Sequence, residues 1–156
     1  MPRKYKSPDR FIEPDPRYKH VLVTKFINCV MQDGKKLVAQ RCVYDAFDEI
    51  ERRLKKDPLD VFLQAMNNVK PLVEVKSRRV GGATYQVPVE VKRKRQTALG
   101  LRWLLEAIRA KKGRPMRLRL ADELISASRR EGAAITKREN THKMAEANKA
   151  FAHFAW

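Results

Sequence analysis

The chain has 156 residues, of which 35 are Lys or Arg and 18 are Asp or Glu, leaving a formal net charge of +17. A hydrophobic content of 43% suffices for the core of a single domain and excludes general disorder, while no apolar run approaches the ~18 residues of a membrane span. So large a positive excess on a folded surface favours polyphosphate partners, nucleic acid foremost, and the lack of an apolar signal core at the amino end fits a cytoplasmic protein.

Residues 1–19, MPRKYKSPDRFIEPDPRYK, hold four prolines, six basic residues and three acids, a composition that resists helix and sheet alike. An extended basic N-terminal arm is expected, ordering only against RNA, the bland alternative being a frayed terminus. Asp9, Glu13 and Asp15 interrupt it and suit an organellar transit peptide poorly. From His20 the spacing becomes helical, with Leu22, Phe26, Ile27, Val30 and Met31 on one face and Gly34 placed to stop the helix at Asp33. A second helix carries Val43, Phe47, Ile50 and Leu54 on its apolar stripe. Lys35 and Lys36 stand at its positive end, an unfavourable place for lysine unless an anion is bound there. They are a candidate phosphate contact or, equally, two solvated side chains. Asp57-Pro58 gives the third helix an N-cap and a first-turn proline, Val61, Phe62, Ala65, Met66 and Val69 form its stripe, and Lys70-Pro71 ends it.

The stretch Leu72–Arg95, LVEVKSRRVGGATYQVPVEVKRKR, reads as a β-hairpin at 72–91 that leads into a basic cluster. Val73 and Val75 alternate with Glu74 and Lys76, and Tyr85, Val87, Val89 and Val91 alternate with Gln86, Pro88 and Glu90, so each run offers an apolar and a polar face. Gly81-Gly82 tolerates the positive φ of a tight reversal, and Arg78 and Arg79 set two guanidinium forks beside the bend, suited to bidentate phosphate contact.

A fourth helix from Arg93 to about Arg109 sets Ala98, Leu101, Leu105 and Ile108 on a core face and leaves Lys94, Arg95, Arg102 and Arg109 polar. The segment RAKKGRPMRLR that follows contains six basic residues and no acid, broken by Gly113 and Pro115, and points to RNA phosphate more than to a solvated face. Leu120, Leu124 and Ile125 mark a fifth helix running toward Gly132, and Thr136 with Glu139 has the spacing of a capping box for a sixth. In the final FAHFAW, Phe151 is expected to dock on the core and Trp156 to stack on unpaired bases.

The fold expected is mainly α: a six-helix single domain over residues 20–156, with one β-hairpin arm protruding between helices three and four and an extended N-terminal arm over 1–19. A lone two-stranded ribbon is marginally stable in water, so its basic face and tip should be held by a ligand. No cofactor or metal is expected. Cys29 and Cys42 lack CxxC or His spacing and read as small core residues, while His20, His142 and His153 share no motif. With no Gly-rich phosphate cradle, and Glu49 and Glu51 unable to face one another on a helix, catalysis is not expected.

Three segments carry a resemblance to a known family: VKPLVEVKSRRVGGATYQVPVEVKRKRQTALGLRW from Val69 to Trp103, KMAEANKAFAHFAW from Lys143 to Trp156, and FINCVMQDGKK from Phe26 to Lys36. Together they resemble the bacterial-type small-subunit ribosomal proteins of the seventh family across essentially the whole chain. The pattern departs at Asn140 and Gly100, where aspartate and alanine are expected. The resemblance implies six helices with a β-hairpin arm, and a structural role on the cytoplasmic or an organellar ribosome. It implies binding to the lower half of the 3′ major domain of 16S-type ribosomal RNA, nucleation of head assembly, and a place at the subunit interface beside exit-site tRNA and mRNA. Small-subunit proteins nine and eleven are the implied protein neighbours, and no membrane is involved.

Carried over by position, the residues expected at ribosomal RNA are Lys35, Lys36, Lys76, Arg78, Arg79, Lys92, Arg93, Arg95, Arg102, Arg114 and Arg119, with Arg3, Lys4 and Arg10 from the arm. A-form RNA hides its base edges in a deep groove, so these side chains follow phosphate and shape. The hairpin tip, Val80, Gly81, Gly82, Ala83 and Thr84, and the aromatic end, Phe154 and Trp156, are expected nearest tRNA and mRNA. On physics alone the competing function is architectural DNA binding through a basic β-arm, against which the tip lacks an apolar or proline wedge and its proline, Pro88, lies back along the second strand.

Overall fold

The computed structural model describes residues 11–154. Within them the α-helices are α1 (Val21–Val30), α2 (Lys36–Leu54), α3 (Pro58–Val69), α4 (Arg93–Ala110), α5 (Met116–Ser128) and α6 (Ala133–Ala147). A hairpin of β1 (Val73–Val80) and β2 (Ala83–Glu90) lies between α3 and α4, and a 3₁₀ helix covers Lys149–Phe154. The fold is thus mainly helical with the hairpin where the sequence pattern puts it.

Apolar stripes at three- and four-residue steps build one core. Phe26 of α1 and Phe47 of α2 flank Phe62 of α3, with ring centroids 5.1 and 5.6 Å away. Leu104 and Ile108 of α4 close it against Leu120 and Leu124 of α5, all with no exposed surface. Helix α5 touches α2, α3, α4 and α6, which is why its small residues Ala121 and Ala127 are buried along with its leucines. Gly100 serves the α3–α4 crossing, where an added Cβ would lie 3.2 Å from Met66 Cε.

Several local expectations give way to packing. Helix α1 ends at Val30, and Gly34 sits instead in the turn before α2 with φ of 71°, following Asp33 at 51°. Ala98 is exposed, while Leu99, Trp103 and Leu104 turn inward, because α4 is contacted by α1, α3, α5 and α6 and needs a wider apolar face. Cys29 is exposed and so is not a core residue, while half-buried Cys42 packs against the core from its edge. The N-terminal stretch does not stay extended through Lys19. Asp15 is buried, accepts from Tyr44 Oη at 2.8 Å and from the Arg17 and Tyr18 amides, and Tyr18 packs on Phe47.

Helix α6 opens at Ala133, so Thr136 lies inside the first turn and the capping box with Glu139 does not form; the Thr136 hydroxyl donates to the Gly132 carbonyl instead. The cap comes from another helix. Glu123, fully buried on α5, accepts the Ala134 N–H at 3.0 Å through Oε1 and pairs through Oε2 with Lys111 Nζ at 2.7 Å. Gly132 makes this possible: its φ is 96°, and a Cβ there would lie 2.9 Å from Glu123 Oε1. One carboxylate therefore ties the α4–α5 loop to the start of α6.

The hairpin has a two-residue turn, Gly81-Gly82, with φ of 58° and 90°, which pairs Val80 with Ala83 and Val73 with Glu90. This register pairs Lys76 with Val87 and Arg78 with Tyr85, so the apolar row of one strand faces the charged row of the other. The ribbon does not stand free. Tyr85 packs on Phe151 and Phe154 of the 3₁₀ helix at 5.0 and 5.4 Å, Val87 is fully buried, and the Leu72 N–H donates to His142 Nε2 of α6 at 3.2 Å. Phe151 accordingly docks on the arm rather than on the helical core.

Glu123→Ala should cost about 2–3 kcal/mol of stability in urea unfolding, through the lost cap and the cavity left at the centre of α5. Desolvation, and secondarily Arg138, holds His142 below its ordinary value of 6.5. The folded chain resists a proton that the unfolded chain accepts, so stability should be full above 6.5 and fall as pH drops through 6.5 toward the depressed folded value. Thermal unfolding across this window should show a pH slope in the native protein that His142→Gln lacks.

Candidate nucleic-acid interface

The helices divide by how their first turns are satisfied. Helix α1 begins with the His20 side chain accepting from the Leu22 N–H at 3.1 Å, α3 with Asp57 accepting from Leu59 at 2.8 Å, and α6 with Glu123. Helices α2, α4 and α5 have no side-chain cap and no acid in the first turn. They begin instead with cations: Lys35 and Lys36 on α2, Lys92, Arg93, Lys94 and Arg95 on α4, and Arg117 and Arg119 on α5. Free N–H groups and the dipole make each such end partly positive, and added lysine or arginine raises its field further, an arrangement stabilised when an anion is bound.

These ends lie along connected grooves. A groove of about 960 Å³ between α1 and α4 is lined by Lys25, Asn28, Cys29, Arg93, Lys94, Arg102 and Arg109, among others. Arg109 also lines a second groove with Lys35, Met116 and Arg119, where the starts of α2 and α5 meet the end of α1. Asn28 opens onto a third hollow that reaches Lys36. The Arg109 guanidinium donates to the Cys29 and Val30 carbonyls at 3.4 Å, anchoring it where the first two grooves join. Desolvation pushes the Cys29 thiol above its ordinary value, although Arg102, Arg109 and Lys25 pull it down, a local measure of the positive field.

The expected site residues fall into two groups. Among the described residues, Lys35, Lys36, Arg79, Lys92, Arg93 and Arg102 are exposed and make no ion pair. Others have protein partners: Lys76 and Arg95 with Glu74 at 3.3 and 3.2 Å, Arg114 with Asp122 at 2.7 Å, and Arg119 with the Lys111 carbonyl. Strand alternation separates Arg78 from Arg79, turning half-buried Arg78 to the face bearing Tyr85 and exposed Arg79 to the open face with Ser77, Thr84 and Gln86. Residues 81–84 are exposed at the tip, whereas Phe154 lies against Tyr85. Arg3, Lys4, Arg10 and Trp156 lie outside the described residues. Absent from the residues carried over by position are Lys25, Asn28 and Arg109; the last opens the RAKKGRPMRLR run and also falls in the Ala98, Arg102, Leu105, Arg109 period of α4, which is the groove-facing stripe.

Acids are fewer than bases along the grooves, with Glu106 lining the first and Asp33 the second. Asp48, Glu49, Asp122 and Glu106 are occupied by Arg17, Arg52, Arg53, Arg114 and Lys137, so much of the negative charge is spent within the protein and Glu106 is neutralised where it lines the first groove. Among the described residues no helix is long and apolar enough to cross a membrane.

A helical body with cationic, uncapped helix starts along joined grooves, and a braced ribbon with a polar open face, belongs to the class of basic structural proteins clothed by nucleic acid. Within that class the chain belongs to the family of ribosomal proteins S7p/S5e, whose model matches residues 2–149. It is 60% identical over 154 residues to the small ribosomal subunit protein uS7 of Thermotoga maritima, covering 99% of each chain. The protein of that name from Rhodopirellula baltica is 60% identical over 144 residues, with 91% of this chain and 92% of the relative covered. That from Bordetella petrii is 58% identical over 156 residues, covering both chains in full. The family is structural, not enzymatic.

Lys36→Asp should raise the melting temperature slightly, by relieving about 0.3–1 kcal/mol of unfavourable helix-end charge, while weakening RNA binding. Thermal unfolding and filter binding on the same preparation check both signs; a parallel loss of stability and affinity would show Lys36 to be structural.

Proposed function

We propose that this protein is a structural constituent of the small ribosomal subunit that binds 16S-type ribosomal RNA directly through the joined grooves and the open face of the hairpin. The observation that carries this reading is the division of helix starts. Three are capped by the protein's own side chains, and three are cationic and bare beside one run of grooves. Lys35, Lys36, Lys92, Arg93 and Arg102 take phosphate first, being unpaired among the described residues. Lys76, Arg95, Arg114 and Arg119 already have partners within the protein and take phosphate second.

The finer placement follows the resemblance: the lower half of the 3′ major domain as the RNA site, nucleation of the head, and proteins nine and eleven as neighbours. The tip, Val80–Thr84, then approaches exit-site tRNA and mRNA. Its bracing supports that role, since Phe151 and Phe154 hold Tyr85, the residue directly after the exposed tip, and fix where the tip points.

If about six to ten phosphates are neutralised, affinity for a folded RNA junction should fall by about 10³–10⁵ between low and moderate salt. A competition between that junction and duplex DNA at fixed salt distinguishes the ribosomal reading from an architectural DNA-binding one. Preference for the junction is expected; equal affinity, or a complex insensitive to salt, would defeat it.

A further inference from the structure

The α1–α4 groove contains something phosphate binding alone does not require. Its floor is apolar, formed by exposed Ala98 with Leu101 and Leu105 on α4 and by Ile12 and Cys29 opposite. Its rim is cationic, with Arg93 and Lys94 at one end, Arg102 along the side and Arg109 at the other end. Glu106, the acid among its described lining residues, is paired with Lys137 of α6 and so does not oppose an anion. Asn28 and Thr97 supply neutral hydrogen-bonding groups beside the floor. At about 960 Å³ the space is near the upper end of ligand sites, about 1,000 Å³, and wider than a phosphate contact needs.

A phosphodiester chain lying on the rim would leave this floor wet. An unstacked nucleotide satisfies both parts, since it joins an anion to a flat, weakly hydrated base. We propose that the groove holds a base splayed out of the bound RNA, lying over Ala98 on the aliphatic floor, with flanking phosphates on Arg93, Lys94 and Arg102 and its edge facing Asn28 and Thr97. This rests on the RNA-binding reading and adds to it that part of the target is unpaired. Among the described residues no aromatic ring lines the groove, so the base is held by burial and edge contacts rather than by ring stacking. An acidic amphipathic peptide would also match a cationic rim and apolar floor. RNA is favoured because the cationic lining continues through Arg109 into a second groove with Lys35 and Arg119, as a phosphodiester chain would follow.

The test uses the full chain and short single-stranded oligoribonucleotides with 2-aminopurine at the centre, an abasic site there, or the unmodified base. Binding of the base-bearing oligonucleotide should be at least about fivefold tighter than that of the abasic one, and 2-aminopurine should brighten as it leaves its stacked neighbours. Ala98→Leu fills the floor at an exposed helical position without removing a core contact. It should abolish both effects while leaving the melting temperature and the salt slope unchanged. Arg102→Gln should weaken both oligonucleotides equally. Equal, salt-dependent binding of base-bearing and abasic oligonucleotides with no brightening would overturn the base site and leave RNA binding intact. Absence of RNA binding at any salt would overturn both. Equal binding together with displacement of neither oligonucleotide by an acidic amphipathic peptide that itself binds Ala98→Leu less well would assign the groove to a protein partner.

Discussion

Mutual repulsion is the constraint under which this fold is built. A formal net charge of +17 on 156 residues must be arranged so that a compact body forms before any polyanion arrives. The structure meets this by keeping its acids and a matching set of its bases in contact with each other. Glu49 serves Arg52 and Arg53, Asp122 serves Arg53 and Arg114, and Glu74 serves Lys76 and Arg95. Among the described residues, a set of cations without ion pairs stands where α2 and α4 begin, Lys35, Lys36, Lys92 and Arg93, and there repulsion adds to the helix dipole instead of being relieved by it. Stability and binding are therefore set against each other at the same residues.

The core makes that conflict tolerable. Three phenylalanines from α1, α2 and α3 and the central position of α5 supply burial that does not depend on charge. Glu123 is the exception, a fully buried carboxylate that fixes the loop between α4 and α5 and the first turn of α6 together. Because α5 starts directly after that loop, with Met116 lining the second groove, the geometry of that groove depends on it. The arm is set in the same way, by Tyr85 against the 3₁₀ helix and by Leu72 against His142, so α6 and its extension act as the hairpin's support.

Much of this was legible in the sequence, for reasons that can be stated residue by residue. Asp57-Pro58 and the stripe from Val61 to Val69 define α3 because cap, proline and period agree locally. Gly81-Gly82 defines the turn because few other residues tolerate positive φ twice in succession. What failed had tertiary causes. The cap of α6 is supplied by a residue nine positions upstream of Gly132, so the local Thr136–Glu139 spacing was a decoy. Ala98 sits on the border of α4's apolar stripe, and only the position of α1 decides that it lines a groove rather than the core. Arg78 and Arg79 look equivalent in sequence, but pairing with Tyr85 and Thr84 sends them to opposite faces. The partnered state of Arg95, Arg114 and Arg119 likewise depends on Glu74, Asp122 and the Lys111 carbonyl, eight or more positions away.

The most direct measurement is amide hydrogen exchange of the full chain, free and bound to a folded small-subunit RNA junction. The account predicts slowed exchange at the first turns of α2, α4 and α5, with the first turns of α1 and α3 unchanged because His20 and Asp57 already occupy them. Slowing spread evenly over all helix starts, or confined to the hairpin tip, would contradict it.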